Sequence, residues 1–495
     1  MESPPISGNY VYIEDVEDIG RYRLGGYHPI HIDDRLNKRY RIVDKLGHGS
    51  FSTVWLAVDE QTTKYVAIKV GTSGADRVEI DVLSHMAQSP LSDNIWETNR
   101  LLIPPIFDHF EISGPNGTHP CLVTPPARCS LRDVKEELCS GFFQLDVARS
   151  LAAQLVMALS LLHKRGYAHG DIHLGNLLLQ LPLSLDDLSI EQLSECYGEP
   201  VKESIIWLDP KRASAYPSAP SYVVTPILFD IPQSRIPLGE AMLTLSDFGV
   251  AFRPEDKSRF VSYTPLILRP PEAYHGPETP LTFASDIWSL GCVIFELLST
   301  CPLIHSLIPQ PDSVTAELLD MLGPMPPAWW ERWEARSKYD HKVRLLNGLA
   351  KPEELRRRFQ YSVQNPRQKQ ETDTLAEDEL DAVLSLFKAM LAWSPADRPD
   401  ISEVLSSTWM TKWALPAYQK CLEARQVLEG QKGLDKQKEL EGHGALRGQE
   451  GPKGWKDLVR QKGSEKQEIL QAHVTLPCPR SSSTGVFRPG WHCTV

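Results

Sequence analysis

Four short segments follow one another along this 495-residue chain: LGHGSFSTV at Leu46–Val54, VAIK ending at Lys69, HGDIHLGN at His169–Asn176, and DFG at Asp247–Gly249. Between them they supply a glycine-rich loop, a lysine, a candidate base and two side chains able to ligate a metal. That is the set of parts needed to move the γ-phosphoryl group of ATP. Any one segment alone is weak evidence. Their order constrains the chain more than any other feature in it.

The flanking patterns agree with that order. Residues 40–70 read as strands, RYRIVDKLG, STVWLAVD and KYVAIKV, separated by turn residues as in an antiparallel sheet. Helical signals follow at Arg77–Met86 and Leu145–Arg165. The expected fold is α+β and bilobal, with a small β-rich lobe before a larger helical one. Its boundaries divide the chain into an N-terminal extension (1–39), a catalytic domain (40–413) and a low-complexity tail (414–495).

Each motif asks for its residue types on physical grounds. The loop Leu46, Gly47, His48, Gly49, Ser50, Phe51, Ser52, Thr53, Val54 must let backbone approach phosphates, and glycine permits it. Its third glycine is replaced by Ser52. Val54 and Ala67 would roof the adenine. Lys69 lies in an apolar strand, where an unpaired ammonium is costly, so it needs an acid, and Glu79 ten residues on is the candidate. Together they would place the α- and β-phosphates.

Asp171 would accept or orient the proton of an attacking hydroxyl. Asn176 and Asp247 would hold Mg²⁺, which prefers hard oxygen ligands. His169 is expected to brace its loop by packing. Glu272 in RPPEA and Arg398 in ADRPD are expected to form a buried ion pair. Asp286 in SDIWSLG is expected to cap the start of an apolar helix and tie down the HGD segment.

Composition narrows the setting. The nine cysteines show no C-x-x-C pairing, which suggests neither a disulfide framework nor a zinc site. The first twenty residues are acidic and lack an apolar core, so no secretory signal is expected. The apolar run near Leu151–Leu162 is too short to span a membrane and reads as a buried helix. A cytosolic or nuclear protein without a membrane partner is expected.

From Lys420 onward the chain has 13 basic and 9 acidic residues, so residues 1–419 carry 39 basic against 55 acidic, a net of −16. An acidic body argues against direct nucleic-acid binding and suits a basic peptide substrate. The expected partner is a protein substrate, and the expected state a monomer.

Two stretches break the pattern. Asn176 and Asp247 stand 71 residues apart, and eight prolines lie between Gln180 and Glu240. An insertion beside the active site is expected at 180–240, with a short helix at Ser184–Cys196 and Ser184 as its N-cap. Residues 420–475 are rich in Lys, Gln, Glu and Gly and read as disordered, with at most fluctuating helix.

With these motifs in place the chain resembles the eukaryotic-type serine/threonine protein kinases. Within them it is similar to the serine/arginine-rich-protein-specific kinases over about residues 20–415. The closer likeness rests on Gly25-Gly26-Tyr27-His28, Leu36-Asn37-x-Arg39-Tyr40, KLGHGSFSTVW and DHFEISGPNGTHPCLV. The resemblance implies ATP and Mg²⁺ as cofactors, Asp171 as proton acceptor, and transfer to serines in Arg/Ser-rich segments of RNA-processing factors, often with constitutive activity.

Gly170 replaces the usual arginine of that motif, so no cation there can clamp a phosphate, and weak dependence on phosphorylation of the activation segment is expected. His173 stands where a lysine usually touches the γ-phosphate. Thr124-Pro125-Pro126 is an unusual hinge, since proline offers adenine no N–H. The region Trp329–Glu377 resembles the insert that docks substrates in this group.

Two other readings stay open. H-G-D-x4-N also suits small-molecule phosphotransferases, which would explain Gly170 and His173 but not RPPEA, SDIWSLG or ADRPD. A catalytically weak scaffold with a kinase fold would usually lack Lys69, Asp171 or Asp247.

Overall fold

The computed structural model describes residues 6–7, 10–88, 102–182, 184–208, 218–229, 235–305, 309–338 and 353–445. The chain divides into two units, Met1–Gln431 and Lys432–Val495. Both lobes lie in the first. Of the second, only residues 432–445 are described, as helix.

The small lobe is a six-stranded antiparallel sheet. Its strands are β1 (Arg35–Leu36), β2 (Tyr40–Gly49), β3 (Ser52–Asp59), β4 (Lys64–Gly71), β5 (Asp108–Gly114) and β6 (Gly117–Thr124), in the spatial order β1-β2-β3-β4-β6-β5. Its members are rich in the β-branched and aromatic residues that suit a pleated surface. Ile42, Trp55, Ala57, Ile68 and Val123 form a core with almost no exposure.

Register across β2 and β3 pairs Gly47 with Val54, His48 with Thr53 and Gly49 with Ser52, leaving Ser50 and Phe51 at the turn. Val54 pairs in turn with Lys69 on β4, and Ala67 with Thr124 on β6. Because residues directly opposite share a face and alternate residues do too, Val54, Ala67 and Lys69 stand on one side of the sheet. The helix Val78–Gln88 follows β4.

The larger lobe is built around two apolar helices. Leu145–Lys164 is long and apolar enough to cross a membrane by composition, but most of it is buried inside this lobe, with Leu151, Leu155, Leu159 and Leu162 fully enclosed. Phe283–Leu298 packs beside it. The seven cysteines among the described residues form no disulfide.

A three-stranded sheet at the base of the cleft explains how distant motifs meet. Strand Leu177–Gln180 pairs on one side with Leu243–Leu245 and on the other with Ala127–Ser130. The pairing of Leu177 with Leu245 brings Asn176 and Asp247, 71 residues apart in sequence, to the same end of neighbouring strands.

The insertion differs from expectation in place and detail. Its helix runs Ile190–Tyr197, and the N-cap is Ser189, in a capping box with Gln192, instead of Ser184. A hairpin, Lys202–Ser204 with Tyr222–Val224, follows. Leu185, Leu193 and Phe229 pack on Val43, Leu56 and Tyr65 of the small lobe, and Ile227 N–H donates to Lys45 O at 2.8 Å. These contacts dock the described part of the insertion on the sheet, where its few apolar side chains find apolar partners.

The tail also departs from its composition. A helix spans Leu415–Ala445, and Ala417, Tyr418 and Cys421 are buried against the domain. Three apolar anchors near the start of the helix suffice to dock its first turns. Residues 446–495 of the expected disordered tail, and 339–352 of the Trp329–Glu377 region, lie outside the described residues.

Candidate active site

Lys69 is the hub. Its Nζ lies 2.6 Å from Glu79 Oε2 and 2.8 Å from Asp247 Oδ1. Burial works against its charge, yet the two carboxylates raise its pKa above the ordinary lysine range. Reciprocally, Lys69 draws the Asp247 carboxyl down to about 2, so that group is ionised at every physiological pH.

Glu79 does a second job. Its Oε1 accepts from Phe248 N–H at 3.2 Å, so one carboxylate fixes both the lysine and the DFG backbone. Asp247 holds φ at +63°, a left-handed conformation uncommon for a residue with a side chain. Phe248 is fully buried against the His169 ring, centroids 5.2 Å apart.

The HGDIHLGN segment is tied down from below. Asp286 accepts from His169 N at 2.7 Å, from Gly170 N at 2.8 Å and from His163 Nε2 at 2.9 Å. Tying the loop was expected of Asp286, but capping was not its part: Thr282 caps the helix, with Ser285 closing the box. His169 is a buried brace, its Nε2 3.1 Å from Ser246 O.

Gly170 has φ +77°, and a Cβ there would stand 3.2 Å from Val250 O and 3.3 Å from the Phe252 ring. An arginine at this position would be strained whatever its side chain met. Thr264 Oγ1 donates to Gly170 O at 3.0 Å, so the segment after DFG is fastened to the loop by neutral groups.

Asn176 Nδ2 donates to Asp171 O at 2.9 Å and lies 3.4 Å from Asp171 Oδ2. Asp171 Oδ1 is buried and accepts no hydrogen bond from the described residues. The side chain as a whole keeps 18% of its surface exposed, and that is the part of the carboxylate a substrate hydroxyl can meet.

His173 Nε2 lies 3.5 Å from the other oxygen, Oδ2. Its Nδ1 faces two donors, Gly175 N at 3.0 Å and Arg132 Nη2 at 3.2 Å. Nδ1 is therefore the acceptor, and the ring's proton sits on Nε2, facing Asp171.

The glycine-rich turn closes the upper side, with Phe51 66% exposed at its tip. Leu46, Gly47 and Val54 are half-buried and Ser52 and Thr53 buried, while His48, Gly49 and Ser50 are exposed. Ala67, beside Thr124 in the sheet, is buried, and Pro125-Pro126 follow directly. Lys69, Glu79, Asp171, His173, Asn176 and Asp247 thus gather at one cleft.

Glu272 and Arg398, 126 residues apart, meet in a fully buried pair at 2.6 Å. Two features escaped sequence reasoning: the Arg132 contact to His173, and the approach of Tyr27 to the glycine-rich turn. Tyr27 lies in a segment that carried the family likeness, which was the only available signal.

The family described as "Protein kinase domain" matches residues 40–188 and 227–410. The break coincides with the docked insertion. A serine/threonine protein kinase of Aspergillus fumigatus is 26% identical over 418 residues, covering 82% of this chain and 94% of that one. The serine/threonine-protein kinase SRPK of Physarum polycephalum is 28% identical over 345 residues, 66% of this chain and 77% of its own.

Human SRSF protein kinase 3 is 39% identical, but over 174 residues, 34% of this chain and 30% of that protein. The crystal structure of a kinase domain matches the fold with a TM-score of 0.51 at 20% identity, covering 78% of this chain and 98% of that one. The motifs, the bilobal α+β fold and these likenesses agree: the chain belongs to the protein kinase family and is a serine/threonine protein kinase.

Proposed function

We propose that this kinase transfers the γ-phosphoryl group of ATP to serine hydroxyls in Arg/Ser-rich protein segments, with Asp171 as the proton acceptor. The carrying observation is the Asp171 carboxylate, 18% exposed and held by Asn176 and His173, in a site whose lysine, Lys69, is itself held by two carboxylates. Lys69, fixed by Glu79, would bind the α- and β-phosphates. Asp247 and Asn176 offer the hard oxygen donors that Mg²⁺ requires, and the ion, when bound, would neutralise and orient the phosphates.

The remaining steps belong to the chain's own residues. The Asp171 carboxylate accepts the substrate O–H and takes its proton as the oxygen becomes nucleophilic. Asn176 orients Asp171 through its backbone and carboxylate oxygens. His173, with its proton on Nε2, stands in place of a lysine as a neutral donor at the rim. The likeness to the Physarum and human kinases and the net charge of −16 on residues 1–419 support an Arg-rich substrate.

Radioactive transfer from ATP, comparing wild type with Asp171→Ala, tests this with an Arg/Ser-repeat peptide, a generic basic protein and a panel of small hydroxylated amines. Labelling of the Arg/Ser peptide that vanishes in Asp171→Ala is the expected result. Labelling of the generic protein alone would discard the substrate class. Labelling of the amines alone would favour a small-molecule phosphotransferase, and nucleotide binding without transfer a scaffold.

A further inference from the structure

The N-terminal extension is fixed at two points, one on strand β2 leading into the glycine-rich turn and one on the turn itself. At the first, Glu17 and Lys45 form an ion pair in which neither side chain is more than 1% exposed, and Tyr22 donates its hydroxyl to the same carboxylate. Lys45 lies on β2 just before the glycines. At the second, Tyr27 donates its hydroxyl to Gly49 O at 2.8 Å, with Ser50 O 3.4 Å away.

The stretch between these points is built to a fixed shape. Asp18 caps a 3-10 turn at Ile19–Arg21. Arg21 donates to Tyr27 Oη at 3.2 Å, and its guanidinium lies over the rings of Tyr27 (4.9 Å) and Phe51 (5.7 Å). A Cβ on Gly26 would stand 1.7 Å from Arg21 O, so the turn that presents Tyr27 requires glycine there. Gly26 O and Tyr27 O are themselves held, by Ser73 N at 3.0 Å and Asn116 Nδ2 at 2.6 Å.

We propose that residues 17–27 are a strap that fixes the glycine-rich turn for nucleotide binding, with Tyr27 as a positioning residue for the phosphates of ATP. A loop chosen for glycine's freedom must be ordered before its N–H groups can serve a ligand. In a planar trans peptide the C=O and the following N–H point in opposite directions. Holding Gly49 O toward Tyr27 therefore turns Ser50 N–H away from the strap, free to meet an anion. This inference rests on the ATP-site reading above.

The test uses the full chain, a fluorescent ATP analogue with Mg²⁺ for equilibrium binding, and steady-state transfer to an Arg/Ser-repeat peptide. Wild type is compared with Tyr27→Phe and with Val427→Ala, a control at a 59% exposed position on the tail helix, outside the strap. One neutral hydrogen bond corresponds to roughly a three- to tenfold weakening. Tyr27→Phe should weaken analogue binding and raise KM for ATP by that factor, leaving KM for peptide and the unfolding midpoint in place. Val427→Ala should match wild type.

Analogue affinity within twofold of wild type overturns the strap, as does a fall in kcat with KM for ATP unchanged, which a merely structural role would give. Nucleotide binding without phosphoryl transfer in wild type would sink the catalytic reading while the affinities still decide the strap. No analogue binding by wild type would sink both.

Discussion

Replacing either partner of the Glu272–Arg398 pair should destabilise the protein, but unequally, and the inequality follows from counting partners. Arg398 donates to Glu272 through Nη1 at 2.9 Å and Nη2 at 2.6 Å, and also to the carbonyls of Ala392 (2.9 Å), Ala284 (2.9 Å) and Trp393 (3.1 Å). Its guanidinium lies 5.1 Å from the Trp288 ring centroid. Glu272 has, besides the arginine, a single donor in Ser285 Oγ at 2.9 Å.

Glu272→Gln leaves the guanidinium three carbonyls and an amide oxygen, so the loss is that of a charge-assisted hydrogen bond, about 1.5–3 kcal/mol. Arg398→Met leaves a buried carboxylate with one neutral donor, and breaking a buried pair this way costs about 3–5 kcal/mol. Converting both residues to methionine removes both charges and should cost less than Arg398→Met alone. Urea unfolding followed by tryptophan fluorescence reports the three midpoints, with Trp288 beneath the guanidinium as an internal probe. Equal midpoints for the two single variants, or Glu272→Gln the weaker, would refute the reasoning.

Lys69→Met should cut kcat by about 10²–10³, the usual loss when one preorganised donor at the developing charge is removed, and peptide phosphorylation measures it. Burial, aided by Glu199, pushes the Asp44 carboxyl up to about 6, above its ordinary value near 3.8. Such a group adds stability that is full below pH 4 and lost as the pH rises through 6. Asp44→Asn should therefore be more stable than wild type at pH 7.5, by on the order of 3 kcal/mol, and level with it near pH 4, as read by unfolding midpoints across pH. Because neutral groups fasten Thr264 to Gly170, phosphatase treatment should leave the transfer rate unchanged; a collapse would show that a phosphate orders this segment.

What could be read in the sequence was local or chemically demanding. Lys69 and Glu79 were legible because a lysine in an apolar strand must find an acid, and the next helix offers one within reach. The capping box at Ser189–Gln192 was equally legible, but Ser184 and Asp187 present a similar spacing, and only docking of Leu193 beneath β3 selects between them. The contact of Asp286 with His169 N and Gly170 N needed the fold, since 116 residues separate Gly170 from its acceptor. The Glu17–Lys45 pair left no periodic trace: an acidic run reads as a solvated surface until a buried lysine is set against it. The tail misled because its polar average hides Ala417, Tyr418 and Cys421, whose burial depends on a partner face.

That tail helix moves the practical edge of the folded body. Cys421 Sγ donates to Leu238 O at 2.9 Å, burial pushes its thiol pKa up, and a Cβ on Gly239 would meet Ala424 at 2.8 Å. The covered residues lead into strand Leu243–Leu245, two residues ahead of Asp247. A fragment cut at 410, where the family likeness stops, would lay bare the carbonyls and apolar side chains just upstream of the metal-ligand candidate. Shortened versions made for expression or crystallisation should keep the chain to Gln431.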